Sequence, residues 1–318
     1  MHKELYHFLY ILSRLMKIGS VKMKQKICAT LAAFIWGTAF LAQDSCAKYL
    51  QPFTVSFLRG IISSIAVFII LLFMKKAKGE KRKNTKEYNK TLLIGGIICG
   101  IALCVASVFQ QAGIKDTGPG KSAFITAMYI VIVPLIGIFS KKKVGINVWM
   151  AVAVSVVGFY YLCLYNVGFS IAVSDLYILL CAIVFAVHIH IIDYFVTKVD
   201  GVELSCVQLA TMGIMSGIMA FIAESPKMGN ILPCIMPLLY IAIFSSGVAY
   251  TLQIVSQKGS NPTVITLLLS LESVFAVLSE TLISGGSGLK WFEILGCVLI
   301  FAAVIFAQIP INKKKLSN

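Results

Sequence analysis

The sequence predicts an all-α integral membrane protein. About ten long apolar segments run from residue 26 to residue 309, separated by short polar connections. A bilayer core takes about 20 apolar residues of helix to cross, so these segments use most of the 318 residues. Apolar residues make up 58% of the chain and charged residues 13%. Because backbone amides in lipid must pair within their own segment, helices are expected throughout.

Ten membrane spans are predicted from the apolar runs and the turn signals between them. They are placed at 27–43, 53–74, 91–112, 119–140, 145–163, 174–194, 203–223, 234–256, 262–283 and 290–309. A proline is tolerated in the first turn of a helix, and four spans are predicted to open at one. These prolines are Pro52, Pro119, Pro233 and Pro262. Pro134 and Pro237 lie inside spans and are expected to kink them.

The distribution of basic residues predicts the orientation in the membrane. Cytoplasmic loops are enriched in Lys and Arg. With the N-terminus in the cytoplasm, 22 Lys and Arg residues fall on the cytoplasmic side and 5 on the other, with Arg59 inside a span. Both termini are therefore predicted to be cytoplasmic, and the net charge of +15 reflects topology. Nucleic-acid binding is not expected, because no basic face carries interleaved aromatic residues.

The two ends of the chain are basic. Residues 1–25 form a partly amphipathic leader that is too short and too charged to span a membrane. It is interpreted as an interfacial helix, or as sequence upstream of a true start at Met23. Residues 310–318 are expected to form a cytoplasmic tail.

Nine cysteines lie in or at the ends of the apolar spans, and none forms a C-x-x-C pair. An odd count in this placement favours small buried thiols over a disulfide framework or a metal site.

An internal repeat divides the chain into two five-helix units, predicted at 26–165 and 172–309. An offset of 143 residues aligns prolines, glutamines and two mid-span residues of the two halves. The aligned pairs are Gln110 with Gln253, Pro119 with Pro262, and Tyr129 with Glu272. Because five is odd, the second unit must enter the membrane upside down. Inverted repeats of this kind are typical of secondary transporters.

Short motifs add a resemblance to a known family. They read W-G-x-x-F at 36–40, L-R at 58–59, F-Q-Q-A-G at 109–113, S-A-F-I-T at 122–126, V-P-L at 133–135, S-D-L at 174–176, A-V-H-I at 186–189 and L-E-S-V-F at 271–275. In their order and spacing, the chain resembles the ten-helix EamA permeases of the drug/metabolite transporter superfamily over residues 26–309. Two positions depart from the family pattern. Ser273 stands where many members have proline after the glutamate, and lysines occupy 141–143 where an acidic residue is usual.

Glu272 and Tyr129 are the first candidates for transport chemistry. Each lies about 15 Å into its span at 1.5 Å per residue, close to the bilayer midplane. An acidic side chain at that depth is expected either to have a function or to be hydrogen-bonded to another helix. Glu272 is interpreted either as a proton-exchanging carboxyl or as a neutral acid hydrogen-bonded to another helix. Tyr129 is expected to line a cavity or to bond a backbone carbonyl.

Five further polar or aromatic residues are candidates for the cavity. Trp36 is too deep for an interfacial anchor, so it lines a cavity or packs. His188 lacks metal-ligand spacing, which favours a helix-interface histidine with proton relay as the alternative. Arg59 is expected to pair with an acidic neighbour or to attract an anionic substrate group. Gln110 and Gln253 are placed at the ends of their spans, where they bind polar solutes or neighbouring helices.

The resemblance implies a secondary transporter of the inner or plasma membrane that works by alternating access. Small metabolites, amino acids or drugs are its expected cargo, moved outward, with proton coupling left open. The expected partners are this substrate and the bilayer, and the protein is expected to be a monomer or homodimer. No Walker A, H-E-x-x-H or G-x-S-x-G motif is present, so neither an enzyme nor a cofactor or metal is predicted. A channel, a scaffold or a membrane-embedded enzyme are the alternatives.

Overall fold

Helices make up nearly all of the chain that the computed structural model describes, namely residues 21–78, 85–139, 145–165, 172–283 and 289–307. No strand occurs in these ranges, which confirms the predicted helical class. Most of the predicted leader, the lysines at 141–143 and the tail at 310–318 lie outside the described residues.

The helical regions are numbered α1 to α10 in chain order. They are α1 Val21–Ala47, α2 Pro52–Lys78, α3 Lys86–Thr117, α4a Pro119–Ala127, α4b Tyr129–Phe139, α5 Ile146–Phe159, α6 Val173–Phe195, α7 Gly201–Ala223, α8 from Met228 to Gln257, α9a Pro262–Leu269, α9b Glu272–Ile283 and α10 Trp291–Ala307. Within the described ranges, eight regions are long and apolar enough to cross a membrane, with α4 and α9 each taken as one. The apolar helices α5 and α10 are shorter.

Three of the four predicted proline starts are confirmed. Pro52, Pro119 and Pro262 each occupy the first position of a helix. The prediction for Pro233 is wrong, because α8 already begins at Met228. Pro233 instead lies in a 3₁₀ turn, Leu232–Cys234, which joins two α-helical pieces of α8.

Two helices are interrupted in equivalent places of the two halves. α4 is interrupted at Met128, and α9 at Ser270 and Leu271. Both interruptions contain tighter i to i+3 hydrogen bonds, from Met128 N to Ile125 O at 3.1 Å and from Leu271 N to Leu268 O at 3.3 Å. The sequence pointed to Pro134 instead, yet that residue lies within the continuous helix α4b. The interruption in α9 contains no proline at all.

α8 departs from α-helical geometry after its internal proline. Pro237 belongs to a short α-helical piece, Ile235–Tyr240, and a π-helical segment, Ile241–Ala249, follows it directly. A π-helical turn carries an extra residue and leaves some carbonyl groups without their usual helical partners. This segment faces the interior of the protein, where it carries two serines discussed below.

The interior is built around close helix contacts. α2 and α7 meet at Gly60 and Gly213, where a Cβ on Gly60 would lie 2.6 Å from Gly213 Cα. α9 is the most enclosed of the described spans, with 78% of its most apolar stretch buried. Since lipid-facing helices expose one side, this burial places α9 against other helices over most of its surface.

Candidate functional site

One internal cavity collects most of the residues that the sequence singled out. Helices α1, α2, α3, α4, α6, α8 and α9 all contribute to its wall. Six of the seven predicted site residues line it. These six are Trp36, Arg59, Gln110, Tyr129, Gln253 and Glu272. The seventh, His188, is not among the lining residues.

Tyr129 and Glu272 meet in this cavity. Each is the first residue of the helix that follows an interruption, α4b for Tyr129 and α9b for Glu272. The Tyr129 hydroxyl donates a hydrogen bond of 2.9 Å to Glu272 Oε1, and both side chains are 97% buried. The hydrogen-bonded carboxyl was one of the two interpretations of Glu272. Tyr129 bonds this carboxyl and not the backbone carbonyl that the sequence suggested.

Ser273, the residue after Glu272, makes a second contact between α9 and α4 near the same interruption. Its hydroxyl donates a 2.9 Å hydrogen bond to the carbonyl oxygen of Ala123 on α4a. The residue that replaces the proline common in the resembled family thus connects the two interrupted helices.

Arg59 lies about two turns into α2 and is 1% exposed. Its Nε donates to Ser246 Oγ at 2.7 Å, and Nη1 donates to Gln43 Oε1 at 3.1 Å. A longer contact of 3.4 Å joins Nη2 to Ser245 Oγ. All three acceptors are neutral. Of the two sequence interpretations, the acidic partner is not found among the described residues.

Trp36 forms part of the cavity wall and fastens it to the π-helical segment of α8. Its indole Nε1 donates to the carbonyl oxygen of Ser245 at 3.1 Å. The ring packs against Tyr250 with centroids 5.0 Å apart. Trp36 therefore both lines the cavity and packs, two roles that the sequence treated as alternatives.

Gln110 and Gln253 do not lie at helix ends as predicted. α3 continues to Thr117 and α8 to Gln257, so both amides lie inside helices and reach the same cavity. Gln110 Nε2 donates to Thr126 Oγ1 at 3.2 Å. Gln253 Oε1 has no hydrogen-bond partner within the described ranges, and it is an acceptor at the cavity wall.

His188 lies one layer behind the cavity. It is fully buried, and its Nε2 is 3.1 Å from Gln208 Oε1 on α7. Its ring lies 6.4 Å from those of Phe185 and Tyr250, which do line the cavity. This contact with α7 fits the helix-interface interpretation. Among the residues that the structure describes, no group of His, Cys, Asp and Glu could hold a metal ion.

Several cavity residues were missed by the sequence reasoning. They are Phe40, Gln43, Thr126, Phe185, Ile189, Ser245, Tyr250 and Leu269. In the sequence the polar members are recognisable only as hydrophilic residues within apolar spans. Serines that merely pack between helices give the same signal. The side of the helix on which each lies depends on helix packing, which a single sequence does not specify.

Comparison with known proteins gives consistent matches over most of the chain. The sequence profile of the EamA-like transporter family matches twice, at residues 23–164 and 172–308. A protein of Archaeoglobus fulgidus described as an uncharacterized transporter is 28% identical over 299 residues, covering 92% of this chain and 88% of that protein. A Synechocystis protein with a similar description is 26% identical, covering 82% and 83%.

The fold also occurs in a protein of known crystal structure. It superposes with a TM-score of 0.72 at 16% sequence identity, covering 89% of this chain and 96% of the solved chain.

Proposed function

The chain belongs to the EamA-like transporter family, and we propose that it is a secondary transporter that moves small metabolites, amino acids or drugs out of the cell by alternating access. The multi-pass helical fold and the internal cavity support this function. Both relatives carry the word transporter in their descriptions.

The proposed architecture has ten spans arranged as two inverted five-helix repeats, 26–165 and 172–309, in the inner or plasma membrane. The twofold match of the family profile, at residues 23–164 and 172–308, supports the division. The interruptions of α4 and α9 at equivalent positions support it further. Interrupted helices near the binding site are a recurrent feature of inverted-repeat carriers. The 22 to 5 distribution of basic residues favours cytoplasmic termini.

The observation that carries the proposal is the cavity in which Tyr129 and Glu272 meet. The first residues after two helix interruptions line one buried space, together with a buried arginine and three glutamines. Small-molecule sites are concave and mostly apolar, with a few convergent polar groups, and this cavity has that composition. Buried Glu272 is the proposed proton-exchanging group, and Tyr129 holds its carboxyl in place.

Transport by the purified protein in liposomes tests this function. A panel of radiolabelled amino acids, small metabolites and cationic drugs is offered outside liposomes loaded with the same unlabelled compounds. A carrier gives saturable uptake that the internal compound accelerates, because loaded carrier returns with cargo. Flux that rises linearly with the gradient and shows no such acceleration would indicate a channel. Liposomes without protein provide the background rate.

A further inference from the structure

The cavity contains a buried positive charge, on Arg59, that forms no ion pair with any acidic residue in the described part of the chain. Arg59 is 1% exposed. Because arginine stays protonated in proteins, its guanidinium carries a full positive charge there. Ion pairs among the described residues join Lys48 to Asp44, Lys75 to Glu203 and Lys121 to Asp175. None involves Arg59. Buried charges are normally paired, since leaving one unpaired away from water is strongly unfavourable.

The neutral partners of Arg59 fix its orientation but do not neutralise its charge or occupy all of its hydrogen-bond donors. A guanidinium has five N–H donors, and three of them meet the oxygens of Gln43, Ser245 and Ser246. Gln43 is itself held in place, because its backbone carbonyl oxygen accepts a 3.0 Å hydrogen bond from Gln111 Nε2. The guanidinium is thus fixed by α1 and α8, with two donors left over among the described contacts.

Glu272 is the acidic residue on the same cavity wall, yet it bonds to another partner. The described hydrogen bond of its carboxyl comes from Tyr129, 2.9 Å away, and Arg59 forms no ion pair with it. The cavity therefore presents a fixed cation and a separately held carboxyl. A ligand that brings its own negative charge would complete the coordination of Arg59.

We propose, on the basis of the transport function above, that the cargo is a small organic acid whose carboxylate binds Arg59. Guanidinium and carboxylate form charge-assisted, often bidentate hydrogen bonds, and a single fixed charge matches a single carboxylate. The rest of the wall indicates the body of the cargo. Trp36, Phe40 and Phe185 contribute aromatic surface, so an apolar or aromatic body fits beside the charged group.

Matched pairs of compounds test this assignment in the reconstituted protein. Every compound that exchanges in the liposome panel is compared with its primary amide, which has nearly the same shape but no charge. Phenylacetate with phenylacetamide and indole-3-acetate with indole-3-acetamide are included from the start, and phenethylamine serves as a cation. Wild-type protein is expected to exchange the carboxylates at least about tenfold faster than the amides.

Three variants test whether Arg59 is the source of the preference for carboxylates. Arg59→Gln is expected to lose carboxylate exchange by about tenfold or more while keeping the slow rate of the amides, and Arg59→Lys should retain part of it. Lys48→Gln removes an exposed basic residue outside the cavity and should behave like wild type. Gel filtration and thermal unfolding show which variants are folded. If Arg59→Gln does not fold, the folded lysine variant and the carboxylate-to-amide ratio of wild type decide the question.

The outcomes separate this inference from the proposed function. Exchange confined to neutral or cationic compounds, or carboxylate exchange that Arg59→Gln leaves unchanged, would overturn the assignment and leave the carrier function standing. No exchange of any compound by folded wild-type protein would contradict the carrier function itself.

Discussion

The hydroxyl of Tyr129 lies 2.9 Å from Glu272 Oε1, and the two residues are 143 positions apart in the chain. Each follows an interruption of its helix, so the same local irregularity occurs on both sides of this hydrogen bond. The contact links the two halves of the chain inside the cavity. The strength of this hydrogen bond and the protonation of Glu272 can both be tested with variants.

Replacing Glu272 by glutamine is expected to abolish proton-driven transport without unfolding the protein. Glutamine has a similar size and can still accept the Tyr129 hydrogen bond, but it cannot release a proton. The variant should bind cargo and exchange it, yet fail to accumulate it when a pH gradient is imposed across proteoliposomes. Accumulation at the wild-type level would make Glu272 a structural residue and direct attention to His188.

Removing the Tyr129 hydroxyl is expected to destabilise the protein through Glu272. In Tyr129→Phe the buried carboxyl loses its described donor. The single variants Tyr129→Phe, which removes the donor, and Glu272→Met, which removes the acceptor, form a cycle with the double variant, and its interaction free energy should be about 1 kcal/mol. Thermal unfolding in detergent measures it. Additive effects of the two changes would show that the hydrogen bond contributes no stability.

The orientation can be tested by accessibility of single cysteines to a membrane-impermeant thiol reagent. Cysteines placed at Lys48 or Lys227, both exposed, should be labelled in intact cells. A cysteine at Arg82 should be labelled only after the cells are opened, because basic loops remain cytoplasmic. The native cysteines are first replaced to remove background. The reverse pattern would mean that the N-terminus is outside.

The contact between α2 and α7 predicts intolerance to a side chain at Gly60. The added Cβ of Gly60→Ala would lie 2.6 Å from Gly213 Cα, and the backbone there cannot move aside without separating the helices. Overpacking of this kind costs about 1–3 kcal/mol. Gly229→Ala is the matched control, because nothing lies within 4 Å of its added Cβ. Equal thermal stability of the two variants would contradict the close contact.

Some features of the fold and site were predictable from local chemistry, and others were not. Pro119 and Pro262 mark helix starts because a first helical turn needs no donor from its opening residue. No comparable signal marks the interruption at Ser270, which contains neither proline nor glycine. It depends on contacts with α4, among them the bond from Ser273 to Ala123, 150 positions away.

The partners of Arg59 show the same limit. The arginine itself was recognisable as a charge within an apolar span. Ser245 and Ser246 come within its reach only through the packing of α8, 186 and 187 positions further along the chain. Sequence alone could therefore propose a charged site but could not decide between an internal ion pair and neutral partners.

The dependence of α9 on α4 also bears on how the protein is made. Glu272 and Ser273 find their described side-chain hydrogen-bond partners on α4, which the ribosome completes long before α9 emerges. Inserting polar groups into lipid without hydrogen-bond partners is energetically unfavourable, so the second half of the chain is expected to need the first half already in place. We expect residues 172–318 expressed alone to accumulate poorly in the membrane and to recover when residues 1–171 are supplied on a separate chain. Biogenesis would then be directional, with the first repeat as the template on which the second is assembled.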